Sequence, residues 1–233
     1  MLNLIIAIVL ILILLTLKLI LRINFKELKE LETNKKLEKI TNKFPENLVI
    51  CKNILKKLNN ESVKVEEDKQ SKTSLYIAVS NKIIISNLKN SYARIQTIAH
   101  ECIHSIQNKN LLLFNFVISN IYLIYYAISI ILTILGVFGN SFLQIIILLL
   151  LSFIYYIVRS FLETEAMIKA EYIAKEYIEE NDFCTKEEKE ELINEYKKIN
   201  KVGVITYNYI LFGNCIVKVI TYCIVALILF LIR

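Results

Sequence analysis

The sequence predicts a mainly α-helical membrane protein, in which four transmembrane helices accompany a small α+β domain. Hydrophobic residues make up 55% of the 233-residue chain, although 21% of its residues are charged, and the mean hydropathy is +0.50. The apolar residues are gathered into long blocks, whereas a soluble domain of this length mixes them with polar residues. The composition and this segregation both favour a membrane protein.

The net charge of +6 has an explanation within a membrane protein. Basic loops hold the cytoplasmic face of such proteins and contact anionic lipid. The chain has no Gly/aromatic RNA-binding motif and no zinc-finger spacing, so we expect the lipid bilayer as a partner and no nucleic acid. Its five cysteines are scattered without a C-x-x-C pair, which favours free thiols over a disulfide framework or a structural zinc cage.

The first apolar block, residues 2–21, is long enough to cross a membrane. A helix rises about 1.5 Å per residue, so a block of this length spans a hydrocarbon core of about 30 Å. A cleaved signal peptide would carry its basic residues first, but Lys18 and Arg22 come at the end of this block, and no small-residue cleavage pattern comes after it. We expect a permanent anchor with the N-terminus outside.

Three further apolar blocks complete the predicted membrane part. Residues 111–135 and 141–158 are uncharged, and the glycines between them, within residues 136–140, predict a transmembrane hairpin with almost no loop. The last block, from about residue 204 to 232, is interrupted by Lys218. Such a lysine either extends towards the membrane surface or faces the interior of the helix bundle.

The blocks place both polar segments on the same side of the membrane. Both segments are rich in lysine, so the positive-inside rule assigns them to the cytoplasm. The frequent Ile, Lys and Asn are typical of an AT-rich bacterial genome, and we expect a bacterial plasma membrane. The predicted segments are an N-terminal anchor (1–23), a cytoplasmic region (24–110), a transmembrane hairpin (111–158), a cytoplasmic helical segment (159–202) and a C-terminal transmembrane helix (203–233).

Short helices and a hairpin are predicted within the polar segments. Leucine and isoleucine at helical spacing predict one amphipathic helix over residues 25–43, which Pro45 ends, and a second helix over residues 48–58. The remaining predictions are strands at 75–79 and 82–86 joined by a turn at Ser80-Asn81, a helix over 90–107, and a charged, solvated helix over 186–201.

Residues 100–104 (His-Glu-Cys-Ile-His) fit the H-E-x-x-H pattern and contain both histidines of the chain. On a helix, residues four apart lie on one face, so both imidazoles reach one zinc ion about 2 Å from each nitrogen. Glu101 lies beside that face, where it takes a proton from metal-bound water. The alternative is a helix whose histidines form only local hydrogen bonds; for this composition a chance match is on the order of one in a thousand.

A catalytic zinc with an open position needs a third protein ligand. Since the chain has no third histidine, a carboxylate, thiolate or amide must supply it, and Glu163 and Glu165 come directly after the third membrane block. The tight hairpin returns the chain close to the H-E-x-x-H helix, which favours either glutamate. On a helix these two residues lie about 200° apart, so one would bind the metal and the other would at most support a ligand.

Three stretches of the sequence resemble a known family. Residues 98–107 (Ile-Ala-His-Glu-Cys-Ile-His-Ser-Ile-Gln) are similar to the signature A-H-E-V-G-H-A-I-Q. Residues 163–170 resemble a segment E-F-D-A-S-x-x-A, and residues 75–86 resemble the strand region that precedes the metal-binding helix. These patterns are typical of the YugP-type family of membrane neutral zinc metallopeptidases. The resemblance implies that Glu163 is the third zinc ligand and that Glu165 takes the next acidic position.

The chain departs from the family pattern at several of these positions, three of which lie at or beside the predicted site. Ile103 stands where the family has glycine, Ser105 replaces an alanine, and Glu165 replaces an aspartate. Both histidines, the glutamate base and the third carboxylate are all present. The predicted fold is therefore mainly α, with four transmembrane helices and a small α+β zincin-like cytoplasmic domain that carries the H-E-x-x-H helix.

The activity expected of such a site is metal-assisted hydrolysis of a peptide or protein substrate. Glu101 deprotonates the zinc-bound water and passes the proton to the leaving amine. A further donor should stabilise the oxyanion, and since no histidine is spare, Arg159, Tyr172 and Tyr92 are the candidates.

Two other functions fit parts of the sequence. One is a membrane scaffold or partner-binding protein with a structural or degenerate zinc site, which would not require the base Glu101. The other is an intramembrane protease, but polar residues such as Arg94, Gln96 and Lys109 make the motif helix too polar to face lipid. We therefore expect a membrane-anchored zinc peptidase.

Overall fold

A computed structural model describes residues 2–32, 34–68, 70–71, 73–88, 91–137 and 140–232, apart from the side chains of Leu28, Lys29 and Glu32. The predicted mainly α-helical fold is confirmed. In chain order the described elements are α1 (Leu2–Ile20), α2 (Phe25–Glu32), α3 (Lys35–Thr41), α4 (Asn47–Lys57), β1 (Lys64–Asp68), β2 (Leu75–Ile77), β3 (Lys82–Ser86), α5 (Arg94–Ile106), α6 (Lys109–Ile134), α7 (Ser141–Glu180) and α8 (Lys186–Ile232).

Four helices of the described chain, α1, α6, α7 and α8, are long and apolar enough to cross a membrane. This confirms the four predicted apolar helices and indicates a membrane protein. Between α6 and α7, Gly136 has a φ of 75°, which glycine adopts freely because it has no Cβ. The predicted turn residues Phe138 and Gly139 lie outside the described residues.

Helices α7 and α8 are much longer than a membrane span. They contain 40 and 47 residues, whereas about 20 residues cross a bilayer. The segment boundaries expected from composition, near residues 158 and 202, therefore fall inside continuous helices. The only proline is Pro45, so neither position carries a residue that would end a helix.

The chain forms two compact units, and the long helices α7 and α8 contribute residues to both. The membrane unit consists of Met1–Ile23, Phe114–Phe161 and Ile205–Arg233, and the polar unit consists of Asn24–Leu113 and Leu162–Val204. The membrane unit packs around fully buried residues that include Leu148, Val219 and Tyr222.

The polar unit contains a three-stranded sheet in the order β1-β3-β2. Strands β2 and β3 are antiparallel, with Tyr76 opposite Ile83, as the predicted hairpin requires, and Asn81 in the turn has a φ of 48°. Strand β1 lies parallel to β3 on its other side, with Val65 opposite Ile83. Strand β1 was not predicted, because its residues Lys-Val-Glu-Glu-Asp are mostly charged types that are depleted in strands.

The single amphipathic helix predicted over residues 25–43 is wrong, because α2 and α3 are separate helices. Asn34 begins α3 as its N-cap, since its side chain accepts hydrogen bonds from the N–H groups of Lys36 and Leu37. The second predicted helix, over residues 48–58, corresponds to α4.

Helices α4, α5 and α7 supply most of the core of the polar unit. Fully buried residues include Ile54 of α4, Ile98 of α5 and Ala174 of α7.

The prediction of a solvated helix over residues 186–201 is wrong for one face of α8. Leu192 and Tyr196, spaced four apart, are buried in this core, and the Tyr196 hydroxyl donates a hydrogen bond to the Tyr92 carbonyl at 2.6 Å.

Candidate metal centre

Helix α5 separates core residues from functional residues on opposite faces. Ile95, Ile98 and Cys102 are fully buried in the core of the polar unit. His100 and His104 lie about 180° away around the helix, at the spacing of one turn. The apolar face therefore fixes the direction in which both imidazoles point.

Both ends of α5 are tied to neighbouring segments. At its start, the buried guanidinium of Arg94 donates to the carbonyls of Thr41, Phe44 and Pro45 at 2.6–2.9 Å and to the side chain of Asn47 at 2.9 Å. Near its end, the Asn60 side chain donates to the carbonyl of Ser105, next to His104, at 3.1 Å. These contacts limit how α5 can shift or rotate.

Glu163 of α7 completes a cluster with the two histidines. His100 Nε2 lies 3.0 Å from His104 Nε2. The Glu163 carboxylate places one oxygen 3.3 Å from His100 Nε2 and the other 3.6 Å from His104 Nε2. Glu163 is only 5% exposed, so this carboxylate is held against the imidazoles and away from solvent.

The spacing of these donor atoms fits a tetrahedral metal ion. Zinc with ligand bonds of about 2.0–2.1 Å holds its ligand atoms roughly 3.3 Å apart. The two imidazole nitrogens are 3.0 Å apart and the nearer Glu163 oxygen is 3.3 Å from His100 Nε2, close to this value. With one ligand atom taken from each residue, the three atoms all lie within 4.8 Å of one another. Two imidazoles and one carboxylate are also the ligand set of several catalytic zinc sites. The residues present therefore fit a divalent metal with one position left for water or substrate.

Gln107 fixes the orientation and tautomer of His104. Its side-chain N–H groups donate to the Leu162 carbonyl at 2.8 Å and to Glu165 at 2.9 Å, so its oxygen faces His104 Nδ1 at 2.7 Å. An oxygen only accepts, so Nδ1 carries the hydrogen. In neutral His104 the lone pair is then on Nε2, the nitrogen that faces Glu163 and His100.

Glu165, the alternative ligand of the sequence analysis, lies outside the cluster of donor atoms. It accepts hydrogen bonds from Gln107 at 2.9 Å and from Lys169 at 2.5 Å. The Lys169 hydrogen bond is the main reason why the pKa of Glu165 is lowered. Glu165 stays ionised and supports His104 through Gln107.

Glu101, the predicted base, is buried beside the cluster and is only 6% exposed. Burial raises the pKa of its carboxyl group, and the nearby Glu163 adds to the rise, while the charges of His100 and His104 oppose it. A base must compete for a proton, so a raised carboxyl pKa makes Glu101 a better acceptor for a proton taken from water.

The cluster attracts positive charge. Burial lowers the pKa of His104, but its contact with Glu163 and the charges of Glu163 and Glu101 outweigh burial, so the net shift is upward from 6.5. A proton on His104 is thus favoured by the same carboxylates that would neutralise a divalent cation.

The three predicted oxyanion donors lie in different surroundings. The Tyr92 hydroxyl, in the core of the polar unit, donates to the carbonyl of Leu31. Tyr172 on α7 is 62% exposed. Arg159 belongs to the membrane unit, where it donates to the Tyr207 hydroxyl at 3.4 Å. The role of oxyanion donor stays a prediction for each of them.

No role was predicted from the sequence for Gln107, Lys169 or Asn60. A signal was present for Gln107, because it lies three residues after His104 and thus on the same side of the helix. Lys169 is four residues after Glu165, the spacing of an ion pair within a helix. Asn60 gave no signal, because its contact with Ser105 joins residues far apart in the chain.

Comparisons with protein-family models, curated proteins and solved structures find no match to this chain. The resemblance to the YugP-type family therefore stays a prediction. What the site can bind is inferred from its own residues: the cluster can hold a divalent metal beside the buried carboxylate of Glu101.

Proposed function

We propose that this protein is a membrane-anchored zinc-dependent peptidase. In this proposal His100, His104 and Glu163 hold the zinc ion, and Glu101 is the catalytic base. The observation that carries it is the cluster of these three side chains, whose ligand atoms, one from each residue, all lie within 4.8 Å of one another. The buried carboxylate of Glu101 lies beside this cluster and is not part of it.

Each residue has a distinct task in this proposal. A bound zinc ion would polarise the carbonyl of the scissile bond and lower the pKa of water. Glu101 takes the proton from the attacking water and later gives it to the leaving amine. Gln107 keeps His104 in the tautomer that leaves Nε2 free for the metal.

Peptides are the substrate class that the motif supports. The H-E-x-x-H pattern with a third carboxylate is typical of zinc peptidases, and the resemblance to the YugP-type family suggests the same activity. Strand β2 is an outer strand of the sheet, and such an edge can pair with an extended peptide. We place the site on the cytoplasmic side of a bacterial plasma membrane because of the lysine-rich polar segments.

Metal analysis of matched variants tests the ligand set. Glu163→Gln and Glu165→Gln are the same change two residues apart on α7. We expect about one zinc per chain in the wild type and in Glu165→Gln, and loss of zinc in Glu163→Gln. Absence of zinc from the wild type after added metal, or equal loss in both variants, would contradict the ligand assignment. Iron in place of zinc would contradict the proposed metal.

A second experiment tests the reaction. Purified wild-type protein in detergent should cleave casein-derived peptides, whereas Glu101→Gln should bind zinc and lose cleavage. A wild-type protein that holds zinc but cleaves no peptide would instead support a scaffold with a structural zinc site. Full activity in Glu101→Gln would show that another group is the base.

A further inference from the structure

A second polar feature lies in the membrane unit, on α8, and is independent of the metal cluster. Lys218 is near the middle of the apolar part of α8. Tyr207, which accepts a hydrogen bond from Arg159, marks the polar end of this span, and Lys218 lies about 16 Å further along the helix. That distance is half of a hydrocarbon core of about 30 Å.

The membrane unit provides no counter-charge for Lys218. All 22 Asp and Glu residues of the chain lie outside the three segments of this unit. Among the described residues, the partner of the ammonium group is the ring of Tyr122, whose centroid is 5.3 Å away. A cation–π contact attracts the ammonium group but leaves its charge uncompensated.

The face of α8 next to Lys218 is exposed in the membrane unit. Its exposed residues are spaced alternately four and three apart, as in a helix face that packs against another helix. They are Ile210, Asn214, Val217, Thr221, Ile224 and Ile228, and we name them the α8 stripe.

Asn214 makes the otherwise largely apolar α8 stripe costly to expose to lipid without a partner. The side chain of Asn214 makes no hydrogen bond with any described residue, and an amide group facing hydrocarbon is costly. A Cβ added at Gly213 would meet no atom within 4 Å. Small residues and asparagine are the types through which transmembrane helices approach closely and bind each other.

We infer that the α8 stripe and Lys218 bind a transmembrane helix of another protein that carries an Asp or Glu at mid-membrane depth. The carboxylate compensates Lys218, and Asn214 donates and accepts hydrogen bonds across the interface. A second copy of this chain does not fit, because its membrane unit brings another Lys218 and no carboxylate. Lipid phosphates do not fit either, because they lie at the membrane surface, about 15 Å from the middle of the core.

The test uses the full-length protein in lipid vesicles and a synthetic probe. The probe is a leucine-rich transmembrane peptide with one central Glu, and two control peptides carry Gln or Leu there. Association is measured by energy transfer between labels on the protein and on the peptide. We expect the Glu peptide to bind about tenfold more tightly than the Leu peptide, with the Gln peptide in between.

Protein variants show whether binding uses this face. Lys218→Met and Asn214→Leu should each weaken binding of the Glu peptide, whereas Lys18→Met, which removes a lysine near the end of α1, should not. Equal binding of all three peptides, or equal effects of Lys218→Met and Lys18→Met, would overturn the inference. It would also be overturned if single-molecule bleaching showed two copies per complex in the wild type and one copy in Asn214→Leu.

Discussion

Replacing Gln107 with alanine should weaken metal binding without removing a ligand. The Gln107→Ala variant loses the acceptor 2.7 Å from His104 Nδ1 and the two donors that reach Leu162 and Glu165 at 2.8 and 2.9 Å. His104 is then free to turn or to carry its hydrogen on Nε2. Loss of such a supporting contact typically weakens metal binding about 10- to 100-fold, or roughly 1.4–2.7 kcal/mol.

Zinc affinity can be measured by titrating the metal-free protein in competition with a chelating dye. A matched control is Thr97→Ala on the same helix, because the Thr97 hydroxyl donates to the Ala93 carbonyl within α5. The control should bind zinc like the wild type. If Gln107→Ala also retained wild-type affinity, the tautomer argument would be refuted, even with His100, His104 and Glu163 still holding the metal.

Three further predictions concern stability and reactivity. Arg94→Met removes four hydrogen bonds, three of them buried, and should lower the free energy of unfolding by about 3 kcal/mol in a denaturant titration in detergent; a loss below about 1 kcal/mol would contradict this. Folding raises the pKa of Glu101 above its ordinary value of 4.5 and the pKa of His104 above its ordinary value of 6.5, so the folded state favours both protonated forms. The metal-free protein should therefore lose stability as pH rises from each ordinary value through the raised one. Thermal unfolding at several pH values tests this, and the Glu101→Gln variant should lack the lower step. A water-soluble maleimide should label Cys184 first, because it is partly exposed while the other four cysteines are buried; mass mapping that finds a buried cysteine labelled first would contradict it.

Local patterns predicted the membrane helices and the histidine pair well. An apolar block such as residues 2–21 is one continuous helix in the structure, α1, because a long run of apolar residues needs no distant partner to form a helix in lipid. His100 and His104 were expected on one face of a helix, because helix geometry brings residues four apart onto the same face, and their Nε2 atoms are 3.0 Å apart.

Features that depend on distant contacts were missed or mistaken. The residues of β1 are mostly charged, so its sequence alone suggests a solvent-exposed segment. It forms a strand because it pairs in parallel with β3. Leu192 and Tyr196 are two apolar positions in a highly charged stretch, and only the core of the polar unit shows that this face is buried. Composition describes a segment alone, whereas burial depends on what packs against it.

By itself, the sequence determined the features that depend on local spacing: four apolar helices, one helix that carries both histidines, and two glutamates as candidates for a third ligand. Only the tertiary structure shows which of those glutamates lies against the imidazoles. Glu163 faces the two imidazoles, and Glu165 instead accepts hydrogen bonds from Gln107 and Lys169. Two carboxylates on one helix are chemically alike, and what distinguishes them is the set of groups that the fold brings to each face.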